Sequence, residues 1–152
     1  MISIVMILHL LSATIWVGGM FFAYMILRPV AVSVLEPPLR LELWRQVFGR
    51  FFPWVSLSIV VLFASGLWMT WAIFGGFAGA PPYVHIMLTL AIIMAGLFGW
   101  LKHKPVKNLT EAVIEENWQK AGEILATIRK IIGINLSLGL LLIAIASGGR
   151  FF

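Results

Sequence analysis

Four long apolar runs constrain the fold of this chain more than any other feature. Residues 2–27, 51–74, 83–101 and 131–149 contain only two side chains that are charged or titrate near neutral pH, His9 and His85. Each run can cross a hydrocarbon core of roughly 30 Å as a helix. The sequence therefore predicts an all-α integral membrane protein, a four-helix bundle that forms one domain over residues 1–152 and has the lipid bilayer as its first partner.

The residue inventory excludes several kinds of chemistry. The chain has no cysteine, which removes disulfides, thiolate metal sites and iron–sulfur clusters. It has no aspartate, and its six glutamates all lie between the spans, so paired carboxylates for acid–base catalysis inside the membrane are lacking. Nucleic acid is not expected as a partner despite the net charge of +5, because the basic residues flank apolar spans.

The basic residues predict the orientation of the bundle. Ten of the eleven lie in or beside two loops: Arg28, Arg40, Arg45 and Arg50 in loop 1, and Lys102, Lys104, Lys107, Lys120, Arg129 and Lys130 around loop 3. The positive-inside rule places these loops in the cytoplasm. We therefore expect a multi-pass protein of a bacterial-type inner membrane with periplasmic N- and C-termini. Span 1 lacks a basic n-region and a cleavage site, so we expect it to be retained, with Arg28-Pro29 ending it.

Both cytoplasmic loops carry helical periodicity. Apolar residues recur at helical spacing after Pro37-Pro38 in loop 1, and from Ile114 to Ile128 in loop 3. Asn108 with Glu111 three residues later fits an N-cap signal for the second helix. We expect two short amphipathic helices at the membrane surface or the bundle end.

His9 and His85 are the leading candidates for a functional site. An ionisable residue inside a membrane is costly and marks function by default. Spans 1 and 3 run in the same direction, so both histidines lie towards the outer side. Two imidazoles facing each other across a helical bundle can ligate haem iron, and Arg150 would then pair with the propionates. The alternatives are a bare copper or other metal ion bound by His9 and His85, and purely structural histidines.

Three further features bear on this site. Trp16 lies two turns after His9 on the same face and would wall a macrocycle or pack in the core. Seven methionines suit Cu(I), and Met6 lies one turn from His9. His103, between two lysines about 27 Å along the helix from His85, is expected to be a solvated loop histidine.

His9, Trp16, Gly18-Gly19 and Arg28-Pro29 resemble the opening helix of CopD-like membrane proteins, named for the copper-resistance protein D domain. The resemblance extends over all four spans, including Arg50 to Trp54, and it implies copper handling across the inner membrane. HemJ-type protoporphyrinogen oxidases, which are four-span and haem-binding, are similar at His9 and Trp16. They carry a lysine where this chain has Met87, so the resemblance does not extend to the oxidase activity.

The sequence thus predicts a cytochrome-like protein that holds haem b between His9 and His85 and serves electron transfer or a redox step near the periplasmic face. Any enzymatic activity would be of the oxidoreductase type. One alternative is a copper-handling protein of the CopD type. The other is a non-catalytic accessory subunit of a larger membrane complex. A redox partner and a homo-oligomer are compatible with each alternative.

Overall fold

The computed structural model describes residues 1–149 and confirms the predicted all-α class. Its helices are α1 (Ile2–Val34), α2 (Pro37–Phe74), α3 (Pro82–His103), α4 (Pro105–Ile114) and α5 (Trp118–Gly148), with a 3₁₀ turn at Phe77–Gly79. Four stretches are long and apolar enough to cross a membrane: Ile2–Val34, Pro37–Phe74, Pro82–Ile114 and Trp118–Gly148. The chain is therefore a multi-pass membrane protein that resides in a lipid bilayer.

Helix α1 continues beyond the predicted end of span 1. Arg28-Pro29 does not terminate it, and helical backbone extends to Val34. Two π-helical turns, Thr14–Gly18 and Phe22–Leu27, interrupt its α-helical bonding. Pro29 is the second residue after the Phe22–Leu27 turn, where the regular i to i−4 pattern is already interrupted, so its missing N–H is tolerated.

Helix α2 joins two elements that the sequence predicts as separate. The amphipathic segment of loop 1 and span 2 form one helix of 38 residues, Pro37–Phe74, with Pro53 inside it. Its length of about 57 Å exceeds the hydrocarbon core, so one end extends beyond the membrane. Gly75, in the left-handed conformation at φ 69°, ends the helix.

The helices around loop 3 begin and end at residues other than those predicted. A short amphipathic helix is present as α4, which buries Leu109 and Val113. The helix predicted from Ile114 to Ile128 begins later, at Trp118, and is the first part of α5. Glu116, with a positive φ of 55°, separates it from α4. The predicted Asn108 cap is wrong, since Asn117 caps α5 by accepting a bond from the backbone N–H of Lys120 at 3.2 Å.

The bundle consists of two antiparallel hairpins, α1 against α2 and α3 against α5. Gly19 of α1 admits the Phe51 ring of α2. Asn135 of α5 donates to the Met94 carbonyl of α3 at 3.3 Å. An aromatic chain runs through the core, with neighbouring ring centroids 5.0–6.4 Å apart, in the order Trp44, Phe48, Phe52, Phe98 and Trp16. The centre of the bundle is thus filled by side chains.

Candidate functional site

His9 is held by a serine of the neighbouring helix. Its Nδ1 atom lies 2.7 Å from Oγ of Ser65 on α2. The same hydroxyl lies 2.5 Å from the backbone carbonyl oxygen of Val61. Ser65 is buried and His9 is half-buried, so the contact lies in the seam between α1 and α2. An imidazole inside the membrane is thereby satisfied at one nitrogen by a neutral partner.

The single proton of the Ser65 hydroxyl assigns the tautomer of His9. The short contact to the Val61 carbonyl, which can only accept, places that proton between Ser65 and Val61. The Ser65 oxygen then accepts from Nδ1–H of His9. In this tautomer the lone pair of the imidazole is on Nε2, as in a metal-ligating histidine whose other nitrogen is held by a polar neighbour.

Gly66 provides the space for the His9 ring. A Cβ atom at Gly66 would lie 3.3 Å from Cε1 and 3.8 Å from Nδ1 of the imidazole. A larger residue here would press on the ring edge between its two nitrogens. Ser65 and Gly66 together form what we call the histidine seat, in which one residue fixes the rotation of the ring and the other leaves room for it.

Met69 lies one helical turn beyond Ser65, on the same face of α2, and only 8% of it is exposed. Helical side chains lean towards the N-terminus of their helix. Because α1 and α2 are antiparallel, His9 and Met69 lean towards each other along the seam. Met6, which the sequence places on the His9 face, is exposed on the outside of the bundle. Met69 is therefore the buried methionine that lies one helical turn from the histidine seat.

Among the described residues, no hydrogen bond or ring contact joins His85 to His9. His85 is exposed, and its ring centroid lies 6.1 Å from that of Phe77 in the 3₁₀ turn. Trp16 and Phe98, with centroids 6.4 Å apart, mark one level of the parallel helices α1 and α3. His9 precedes Trp16 by seven residues and His85 precedes Phe98 by thirteen. His85 therefore lies about 9 Å further towards the end of the bundle at which α1 and α3 begin.

The other predicted site residues have separate surroundings. Trp16 is 3% exposed and packs edge-on against Phe98, so it is part of the core. Arg150 lies outside the described residues. His103 is exposed at the end of α3. Within residues 1–149, no three His, Asp or Glu side chains are grouped closely enough to hold a metal ion.

Sequence reasoning did not identify Ser65 and Gly66 as partners of His9. The available signal was the Ala64-Ser65-Gly66 triplet, since small and hydroxyl residues in a span mark close helix contacts and interhelical hydrogen bonds. A second triplet, Ala146-Ser147-Gly148, occurs in α5. Ser147 bonds to its own helix, at 2.8 Å from the Ile143 carbonyl, in the same manner as Ser65. The Ala-Ser-Gly triplet alone thus did not show that Ser65, and not Ser147, is the partner of His9.

Comparison with known proteins gives one family and one distant relative. A family model described as copper resistance protein D matches residues 45–148, which include the histidine seat and His85 but not His9. An uncharacterized protein of Aquifex aeolicus (strain VF5) is 35% identical over 88 residues, covering 57% of this chain. The chain spans 58% of that relative's length. No solved structure matches.

Proposed function

The chain belongs to the copper resistance protein D family, and on that premise we propose that it handles copper within the membrane, with Nε2 of His9 as the principal ligand. The observation that carries this proposal is the 2.7 Å contact between Nδ1 of His9 and Ser65. It leaves the metal-binding nitrogen unprotonated without requiring a charged partner in the membrane.

The donor set supports Cu(I) over harder ions. Imidazole suits copper, and a thioether such as that of Met69 is a soft ligand that suits Cu(I), whereas Mg²⁺ and Ca²⁺ take oxygen ligands. No carboxylate lies in the uncharged runs of the sequence. In this proposal copper is a transported ion and not a permanent cofactor. A site with few ligands suits an ion that is bound and then released. The outward position of His9, about 10 Å from the start of span 1, would make the site reachable from the periplasmic side.

Haem b is the second candidate, because the same His9 tautomer presents Nε2 to a haem iron. The fit of the described residues to a haem ligated by both His9 and His85 is poor. The two histidines are offset by about 9 Å along the bundle, His85 is exposed, and Trp16 and Phe98 fill the core between spans 1 and 3. Ligation by both histidines would require the outer end of α3 to move, and it stays a sequence-based prediction.

Copper binding by the purified protein in detergent tests the proposal. Cu(I) is titrated under reducing conditions against a chromophoric chelator, for wild type, His9→Ala and His103→Ala. We expect wild type and His103→Ala to withhold copper from the chelator and His9→Ala to lose that ability. His103 is the matched control, since it is an exposed histidine at the other end of the bundle. Equal copper retention by His9→Ala and wild type would refute the proposal.

A further inference from the structure

A second cavity, remote from His9, lies at the basic end of the bundle between α1, α2 and α5. Its volume is about 220 Å³. Cationic and aromatic side chains line it, among them Arg28, Arg40, Arg129, Tyr24, Trp44 and Trp118. No acidic residue is among the lining residues. Three arginines thus line one cavity that has no lining carboxylate.

The charges of these arginines are not neutralised by the described part of the protein. In residues 1–149 the one salt bridge joins Arg45 to Glu42, and it lies outside the cavity. Arg28 instead places its guanidinium 5.2 Å from the centre of the Tyr24 ring. Arg28 and Arg40 are half-buried, so their mutual repulsion is less screened than on an open surface. An anion in the cavity would relieve that repulsion and supply hydrogen-bond acceptors for several donors.

The cavity joins polar and apolar surroundings. Its arginines lie at the edges of the uncharged runs, with Arg28 directly after residues 2–27 and Arg129 two positions before residues 131–149. Its remaining wall includes Phe48 of α2, three residues before the uncharged run 51–74, and Ile132 within the uncharged run of α5. Tryptophans such as Trp44 and Trp118 are typical of the level at which lipid headgroups lie. A ligand that fits these surroundings has an anionic headgroup, which matches the arginines, and an apolar body, which matches the apolar part of the wall.

We infer that this cavity binds the phosphodiester headgroup of an anionic phospholipid from the leaflet at the basic end, with the acyl chains lying along the outside of the bundle. Basic pockets between membrane helices bind anionic headgroups in this way. A volume of about 220 Å³ holds several water molecules, so it has room for a phosphate and a short polar substituent. The inference does not depend on the copper proposal.

Lipid titration of the full-length, delipidated protein tests the inference. Native mass spectrometry in detergent compares phosphatidylglycerol with phosphatidylcholine of the same acyl chains. We expect wild type to prefer phosphatidylglycerol. The triple variant Arg28→Gln, Arg40→Gln, Arg129→Gln should bind it on the order of 100-fold more weakly, because each basic residue near anionic lipid contributes roughly fivefold.

A second triple variant, Arg50→Gln, Lys104→Gln, Lys107→Gln, is the matched control. It removes three charges from the same end of the bundle, from residues that do not line the cavity, and should retain the preference. Thermal unfolding of both triple variants and of the single variant Arg40→Gln distinguishes a loss of lipid binding from a loss of folding. Equal binding of the two lipids by wild type, or equal loss in both triple variants, would overturn the inference. Displacement of phosphatidylglycerol by inorganic phosphate alone would assign the cavity to a soluble anion and overturn it as well.

Discussion

Nδ1 of His9 and Oγ of Ser65 lie 2.7 Å apart across the seam between α1 and α2. The contact joins the half-buried titratable residue of span 1 to a buried hydroxyl that also bonds to its own helix. It holds the ring in one tautomer and one orientation. In our proposal, the role of His9 as a copper ligand therefore depends on a residue that is not itself proposed as a ligand.

Replacing Ser65 should weaken copper binding without preventing folding. Ser65→Ala removes the acceptor of Nδ1–H and frees the ring to rotate, and loss of such a supporting partner costs about 10- to 100-fold in metal affinity. Ser147→Ala is the matched control, since Ser147 makes the same bond to its own helix in the second Ala-Ser-Gly triplet. Copper affinity measured by chelator competition should fall for the first variant alone. A fall of equal size in both would argue against the histidine seat.

Gly66→Ala should lower copper affinity less than Ser65→Ala does. The new Cβ would lie 3.3 Å from Cε1 of His9, so the ring must shift by a few tenths of an ångström. Gly99→Ala in α3 is the control, because a Cβ there meets no atom within 4 Å. It should stabilise its helix by about 0.5–1 kcal/mol and leave copper binding unchanged. Thermal unfolding and copper titration of both variants test this contrast, and unaltered copper affinity in Gly66→Ala would contradict it.

The haem alternative predicts a spectrum. If iron is bound by His9 and His85, the purified protein shows a Soret band. His9→Ala and His85→Ala should then each lower haem content or convert low-spin to high-spin iron, because each removes one axial nitrogen. His103→Ala should do neither, and Arg150→Ala should shift the potential while leaving the ligation intact. A copper protein without haem shows no Soret band, so one absorption spectrum separates the two candidates.

The orientation of the bundle is testable with fusions. A reporter after Phe152 should act as a periplasmic protein, because ten of the eleven basic residues mark the opposite end. The same reporter inserted at the turn of residues 115–117 should act as a cytoplasmic one. Activity of a cytoplasm-only reporter after Phe152 would reverse the topology and move His9 to the inner side.

Glu116→Gly should stabilise the protein. Glu116 has a φ of 55°, and the left-handed conformation costs a residue with a Cβ about 1–2 kcal/mol. Glycine avoids that cost but loses more chain entropy on folding, which leaves a gain of roughly 0.5–1 kcal/mol. Glu115→Gly is the control, because Glu115 has a φ of −77° and should lose stability on the same change. Thermal unfolding in detergent measures both, and a lower midpoint for Glu116→Gly would be inconsistent with this account.

The sequence predicted the four spans because length and lack of charge are properties of each run by itself. It did not predict where helices join, since nothing between Pro37 and Phe74 shows that an amphipathic segment and a span share one axis. It singled out His9 as a candidate site residue but did not identify Ser65 as its partner. The depth of a residue in the membrane can be estimated from its position within its own span. The partner of its side chain depends on how two helices are rotated about their own axes, which the sequence of one span does not show.

The two π-helical turns of α1 set that rotation. Each widened turn holds one residue more than an α-helical turn, so it changes the angular phase of everything beyond it by about 100°. His9 precedes both turns, whereas Tyr24 lies within the second. One continuous helix can thus direct His9 towards α2 and Tyr24 towards Gly133 of α5. Deleting a single residue from Thr14–Gly18 would leave the hydropathy and the length of the span almost unchanged. It would nevertheless rotate His9 away from the histidine seat. The proposed function of His9 therefore depends on the angular position of its side chain about the axis of α1.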